Sequence, residues 1–413
     1  MTYDVYQVRG LYTSLSDGWT YLNAHDCPQI PERVSAAVAR SFRMATQAVR
    51  PDQATGNRVV GAVGKPEGLG FIDDARHAIA DLVGAAPECV VLGPNLPALY
   101  AALASSMRPF FRYNSSIVLS AMDDPALLVG FKDVKAETRW AQPDLGTGEL
   151  PSYQYDELVD GSTRLVSVPA AHGLLGTVAP VTEIIDRVRD HSRAWVLVDA
   201  TAYAPYRVVN PGAWGADIVA LDVSALGGPQ VAALVFRDEA MFRRLDTISP
   251  QNSNSGACKL SLDVSAGLAG GVSPLVDHLA NLVPHPDEEA SRRDRLTHSM
   301  VELGLYLDNL RDDLYTFLGT LPAVHILGVS GEAAADAEPN RLPRLSFGVR
   351  GVPAEMVYQR LVDNRLITTV TPRSQLLQDM GVDEIGGAVT VALGPFIRES
   401  DVDHLIRVVA SLA

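Results

Sequence analysis

Asp199 closes the apolar run 194–198 (AWVLV), and two further apolar runs follow it, 217–221 and 231–236, parted by a Ser/Gly/Pro turn. An acid at a strand end has two readings. It can take part in general acid–base chemistry, or it can cap the following turn through backbone N–H groups. Asp123 and Asp124, just past the apolar run 117–120, are further acid–base candidates or capping groups, and nothing in their spacing decides between the two. His172 lies beside the end of the run 163–168 and is a candidate base; a lone helical histidine such as His77 reads as structural. Arg344 and Arg373 are candidates for a bidentate grip on a carboxylate. With 30 arginines against four lysines (Lys65, Lys132, Lys135 and Lys259), a surface role is the safer expectation for each. Cys27 is either a reactive thiol or a small buried residue.

Simple catalytic templates are absent. There is no GxSxG elbow, HExxH, Walker A or strand-linked GxGxxG, and the nine histidines and three cysteines show no metal-ligand or CxxC spacing. A net charge of −15 and a pI near 5.0 oppose sequence-independent attraction to nucleic acid or to an anionic membrane. The N-terminal sequence lacks a basic segment followed by an apolar one, and no apolar run is long enough to cross a bilayer. A soluble cytoplasmic protein is expected, without nucleic-acid or membrane partners.

The elements that must position these residues are legible as alternating patterns. Helices are expected at 31–44, 71–84, 96–107, 125–132 and 181–191, with 47–70 as an irregular loop. Strands are expected at 89–92, 117–120, 138–140, 163–168 and in the three runs around Asp199. Such alternation implies right-handed crossovers and an α/β fold with a mostly parallel sheet between helices. Further on, 287–313 reads as a long helix, 331–340 as a surface loop, 352–363 as a helix, and 366–370 and 389–393 as strands. Residues 400–403 resemble a capping box opening the last helix. At 413 residues two domains are expected: a large one over 24–283, and a small α+β one built from 1–23 and 284–413.

In order along the chain stand Tyr21-Leu22-Asn23-Ala24, Gly93-Pro94-Asn95, Gly173-Leu174-Leu175-Gly176-Thr177, Val198-Asp199-Ala200, Tyr203-Ala204-Pro205-Tyr206 and Gly228-Pro229. Together they resemble the class V aminotransferase and cysteine desulfurase-like family, whose members are pyridoxal-phosphate (PLP) enzymes of fold type I. Within it the chain is most similar to an uncharacterised actinobacterial subgroup of the desulfurase-like branch. The resemblance spans nearly the whole chain. It implies a seven-stranded-type sheet in the large domain and a homodimer with its cleft at the interface.

What the resemblance implies for chemistry depends on each position. Counting back from Gly228-Pro229, the Schiff-base lysine falls on Ala225, whose methyl cannot form an imine. The ring-stacking histidine corresponds to Asp124 and the asparagine after it to Leu127. A Ser-Asn pair is replaced by His172-Gly173, and the Gln or His after the strand-end acid by Ala202. The phosphate-binding threonine corresponds to Pro97 or Ala98, at the helix start after Asn95, where proline also removes an N–H. Asp199 alone matches, at the place of the carboxylate that pairs with the pyridine nitrogen; with so many partners changed, turn capping is the preferred reading. Asn252–Ser255 falls where a family threonine reaches the neighbouring subunit's phosphate, so a residual anion site there is an open alternative. The desulfurase cysteine of the small domain has no counterpart, the last cysteine being Cys258.

Three functional readings follow. The chain is a member that has lost PLP–lysine catalysis and binds a small molecule or a protein partner. Alternatively it is an active aminotransferase or lyase that holds PLP non-covalently and uses another base, such as His172. The third is a cofactor-free enzyme working in the old cleft through Asp123, Asp124 and Asp199.

Overall fold

The computed structural model describes residues 3–50, 63–248, 252–335, 337 and 340–413. Its strands are β1 (Thr20–Tyr21), β2 (Val90–Gly93), β3 (Ser116–Ser120), β4 (Glu137–Ala141), β5 (Thr163–Pro169), β6 (Trp195–Asp199), β7 (Ile218–Asp222), β8 (Ala232–Phe236), β9 (Val324–Ile326), β10 (Arg344–Val349), β11 (Leu366–Ile367), β12 (Thr369–Val370) and β13 (Val389–Ala392). Seven of them form one sheet in the order β2-β8-β7-β6-β5-β3-β4. Only β8 runs against its neighbours. The α/β expectation, with a mostly parallel sheet, therefore holds.

The parallel strands are apolar on both faces because both are covered. Val166, Val168, Val196, Val198, Val219 and Leu221 belong to one core. Leu165, Leu197, Ile218 and Ala220 alternate onto the other, which the Leu96–Ser106 helix covers with Leu99, Tyr100 and Leu103. By that alternation Ser167 and Asp199 face the side of the Leu96–Ser106 helix. Pro169, Asp199 and Ala220 lie level across β5, β6 and β7, so the polar residues that end these strands share one edge.

A second, antiparallel sheet has the order β12-β13-β10-β9. β1 and β11 form a separate two-stranded parallel ladder, and isolated bridges from Asn23 to Ala392 and from Thr177 to Arg341 join the second sheet region to the rest. These contacts bring the N-terminal segment, the loop after β5 and the start of β10 together.

Several sequence expectations shift. The helix expected from 71 begins at Glu67, and residues 51–62 of the expected loop lie outside the described residues. Glycine at 68 read as loop, but a Cβ there would lie 2.8 Å from Ala266 Cβ and 2.9 Å from the Ala45 carbonyl, so the helix needs its smallness to pack. The long helix runs Arg292–Gly319, capped by Ser291, whose hydroxyl accepts from the Asp294 amide at 3.1 Å. The last helix, Glu399–Ala410, starts before the expected box: the Arg398 amide donates to Asp401 Oδ2 at 3.0 Å. The expected strand 366–370 is two short strands, β11 and β12.

Candidate functional site

The carboxyl edge of β3, β5, β6 and β7 gathers acids and buried hydroxyls. Asp199 Oδ1 accepts from the Thr201 amide at 2.9 Å, the turn-capping contact expected for a strand-end acid. Thr201 in turn accepts from the Asp222 amide at 3.2 Å, tying the ends of β6 and β7. Burial pushes the Asp199 carboxyl up to about 6; the Thr201 hydrogen bonds oppose this, and the charges of Asp124 and Asp222 reinforce it. Asp123 is buried, with Oδ2 accepting from the Ser120 amide at 3.1 Å. Burial, with the charges of Asp199 and Asp124, lifts it to about 7. Both carboxyls thus titrate near neutrality.

Around them the hydroxyls of Tyr100 and Tyr155 are buried without a hydrogen-bond partner, while the buried Ser167 hydroxyl faces the Asp123 carboxyl and favours its charged form. Burial raises the Tyr100 hydroxyl well above its ordinary range, reinforced by the charges of Asp199, Asp123 and Asp124; Tyr155 is raised likewise by burial and by Asp123. Two acids and three buried hydroxyls thus form one polar cluster at this edge of an otherwise apolar core.

A second cluster forms where the loop after β5 meets β10. Arg344 is 4 % exposed, donates to the Gly173 carbonyl at 2.7 Å, and lies with its guanidinium carbon 5.1 Å from the centre of the Tyr206 ring. Among the described residues no carboxylate pairs with it, and its Nε is buried without a partner. His172 Nδ1 accepts from the Leu174 and Leu175 amides at 3.3 and 3.1 Å, which leaves the proton of the neutral ring on Nε2. Both nitrogens of His25 are buried and unpartnered, as are Tyr206 Oη and Asn23 Oδ1. Burial lowers His25 and His172 to about 4, helped by the Arg344 charge, so both rings are neutral at physiological pH. A desolvated guanidinium without a counter-charge is costly, and an anion between it and the two imidazoles would answer it.

The sequence candidates therefore divide. Asp199 and Asp123 come together at the strand ends, and His172 and Arg344 meet in the second cluster. Asp124 is exposed and caps the Pro125–Leu128 helix, its Oδ1 accepting from Ala126 N at 2.8 Å. Asn95 Oδ1 accepts from the Ala98 amide at 2.9 Å, capping its own helix. Since Pro97 has no N–H, that helix start keeps little with which to hold an anion. Ala202 is half-buried against the core, and Arg373 is exposed. Cys27 is an exposed free thiol. Asn252 spends its amide on the Ser261 carbonyl at 3.0 Å and Asn254 accepts from Thr247 at 2.6 Å, so 252–255 ties down its own loop.

Ala225 lies in the 3-10 turn Val223–Leu226, where Asp222 Oδ1 accepts from Ser224 N at 2.9 Å and from Ser224 Oγ at 2.7 Å. Gly227 follows with φ 78°, and a Cβ there would lie 2.5 Å from the Gln29 carbonyl, so the turn is seated on the N-terminal segment. The turn presents a methyl group. Lys65, Lys132 and Lys135 are exposed, and Lys259 donates to the Leu245 carbonyl at 2.7 Å. His25, Tyr100, Tyr155 and Tyr206 were not foreseen as site residues. The available signal was polarity in apolar surroundings, as with Tyr100 inside the run 96–104.

Comparison with known proteins adds three findings. The profile of the Aminotransferase class-V family matches residues 34–245. The uncharacterized protein MT3887 of Mycobacterium tuberculosis is 36 % identical over 420 residues, covering 100 % of both chains, and the aminotransferase-like protein FGM3 of Gibberella zeae is 24 % identical over 298 residues, covering 70 % of this chain and 69 % of that one. Among solved structures, the apo cysteine desulfurase of Thermococcus onnurineus NA1 superposes with a TM-score of 0.81 at 17 % identity, covering 100 % of this chain and 98 % of the other. The fold is thus that of the cysteine desulfurases.

Proposed function

Because the chain belongs to the class-V aminotransferase family, we propose that it keeps the family's cleft as a non-covalent binding site for a small carboxylate-bearing molecule and has given up Schiff-base PLP catalysis. The observation that carries this reading is Ala225, a methyl in the turn where the resemblance places the cofactor's lysine, with the chain's four lysines engaged or exposed elsewhere. PLP would supply an electron sink if bound, and Asp199 suits its ring nitrogen. The rest of the edge does not fit it: the Leu96–Ser106 helix has spent the Ala98 amide on Asn95, lacks an N–H at Pro97, and faces Asp123 and Asp124 rather than cations.

Arg344 supports the binding half of the reading. Its guanidinium can grip a carboxylate while Nε2–H of His172 and the His25 ring donate beside it, and the Tyr206 ring holds the fork in place. The acids and orphan hydroxyls at the strand ends would take an amino or hydroxyl group of the same molecule. The cleft would serve in a homodimeric, soluble subunit; no described helix is long and apolar enough to cross a membrane.

The test is purification with excess PLP, borohydride reduction and peptide mapping, alongside calorimetric titration of amino and hydroxy acids. Carboxylate binding without a pyridoxyl-lysine supports the proposal, and a saturable, reducible PLP adduct on any lysine would falsify it. One observation favours a second reading. Asp123 and Asp199 titrate near 7 and 6, where acid–base catalysis in the cleft is efficient, with or without non-covalent PLP. Turnover abolished in Asp199→Ala would establish it; no turnover of an amino-acid panel, with and without PLP, would count heavily against it.

A further inference from the structure

The opposite, amino edge of the sheet holds a feature that the proposed cleft does not use. A cavity of about 750 Å³ opens there beside the starts of β3, β5 and β6. Five arginines line it, Arg112, Arg164, Arg189, Arg193 and Arg244, against a single acid, Asp190. In a chain of net charge −15 this is a local reversal of sign. The arginines come from four separate segments, so no single run of sequence accounts for their convergence.

Their charges are largely unanswered. Arg189 is paired with buried Asp217 at 2.5 Å. Among the described residues, Arg112, Arg164, Arg193 and Arg244 have no carboxylate within ion-pair distance. Two of them are nonetheless held in place. Arg164 donates to the carbonyls of Gly161 and Thr163 at 2.9 and 3.1 Å. The Arg244 guanidinium lies over the rings of Phe110 and Trp195, 4.7 and 5.3 Å from their centres. Such anchoring reduces the entropy lost when an anion is gripped.

We propose that this cavity binds a small molecule carrying two or more phosphoryl groups. Guanidinium forks match phosphate oxygens bidentately, and several forks around a concave wall suit several phosphoryl groups better than one. The volume lies in the range of small-ligand sites, and a cleft lined by one sign of charge concentrates its counter-ion. A long polyanion fits less well, because it would have to continue from the cavity across a surface of the opposite preference.

Isothermal titration of the full chain with inorganic triphosphate, ATP and a decameric glutamate peptide tests this. Triphosphate or ATP is expected to bind at one site per chain, to weaken with added salt, and to lose at least tenfold in affinity in Arg112→Ala/Arg193→Ala. Retained thermal unfolding shows that this variant is folded; if it is not, Arg193→Glu alone is expected to give the same loss. Absence of binding into the millimolar range, equal binding by the variants, or tighter binding of the peptide than of either phosphate compound would each overturn the proposal. None of these outcomes depends on the carboxylate cleft.

Discussion

Replacing Asp123 by asparagine should remove a pH dependence that the folded chain imposes on itself. Asp123 is 5 % exposed, and its carboxyl is lifted from the ordinary 3.8 to about 7 by burial and by the charges of Asp199 and Asp124. For an acid raised in the folded state, the unfolded chain loses its proton first. Stability is therefore fully present below about pH 4, falls as pH rises, and levels off above about pH 7. A displacement of this size corresponds to about 4 kcal/mol. Asparagine keeps an acceptor for the Ser120 amide, now 3.1 Å away, and carries no charge. The assay is urea unfolding of wild type and Asp123→Asn from about pH 4 to about pH 8, read as the difference between them. The two are expected to match at the acid end, and the variant to be more stable by several kcal/mol at the alkaline end. Buried His25, His172 and His278, all lowered to about 4, act in the opposite direction and cancel in the difference. Parallel curves across the range would refute the reasoning.

Other perturbations address the second cluster and the turn. Arg344→Met should leave thermal stability unchanged or raised, since it removes a buried charge with no counter-charge, while carboxylate affinity falls by about 2 kcal/mol, roughly thirtyfold; calorimetry and thermal unfolding check the two halves. Gly176→Ala should destabilise by about 2 kcal/mol and weaken the same binding, because Gly176 has φ 74° and a Cβ would lie 2.6 Å from the Arg344 carbonyl and 2.8 Å from its Cγ. Holding His25 and His172 neutral costs stability as pH falls from about 6.5 through about 4, so His172→Gln, with no ring to protonate, should resist acid unfolding better than wild type. Ala225→Lys alone should give no saturable, reducible PLP adduct, because the anion-holding end of the cleft is also changed; absorbance after PLP addition and mapping after borohydride check this.

The parts that could be read from the sequence are those governed by local pattern. Strands β6 and β7 are apolar runs closed by an acid, β5 is mostly apolar around Ser167, and the Val181–His191 helix repeats its apolar residues at helical spacing, so these elements were visible without tertiary information. The placement of Asp199 at a strand end followed from the same pattern. Arg344 and Arg373 were indistinguishable among 30 arginines, because what separates them is burial by distant segments: one lies under Tyr206 and the other is exposed. Asn95 and Asp124 matched cofactor positions in order along the chain, yet each satisfies a neighbouring helix amide. The unpartnered nitrogens of His25 and the hydroxyls of Tyr100 and Tyr155 depend on which polar groups the fold leaves without partners, and no spacing along the chain encodes that.

The most direct test of the central claim is peptide mapping of the wild-type chain after saturation with PLP and reduction with borohydride, run beside a titration with the best carboxylate ligand of the panel. The expected result is a ligand bound with an affinity that depends on Arg344, and no stoichiometric pyridoxyl group on Lys65, Lys132, Lys135 or Lys259. A stoichiometric pyridoxyl-lysine, displaced by an amino acid added before reduction, would contradict it.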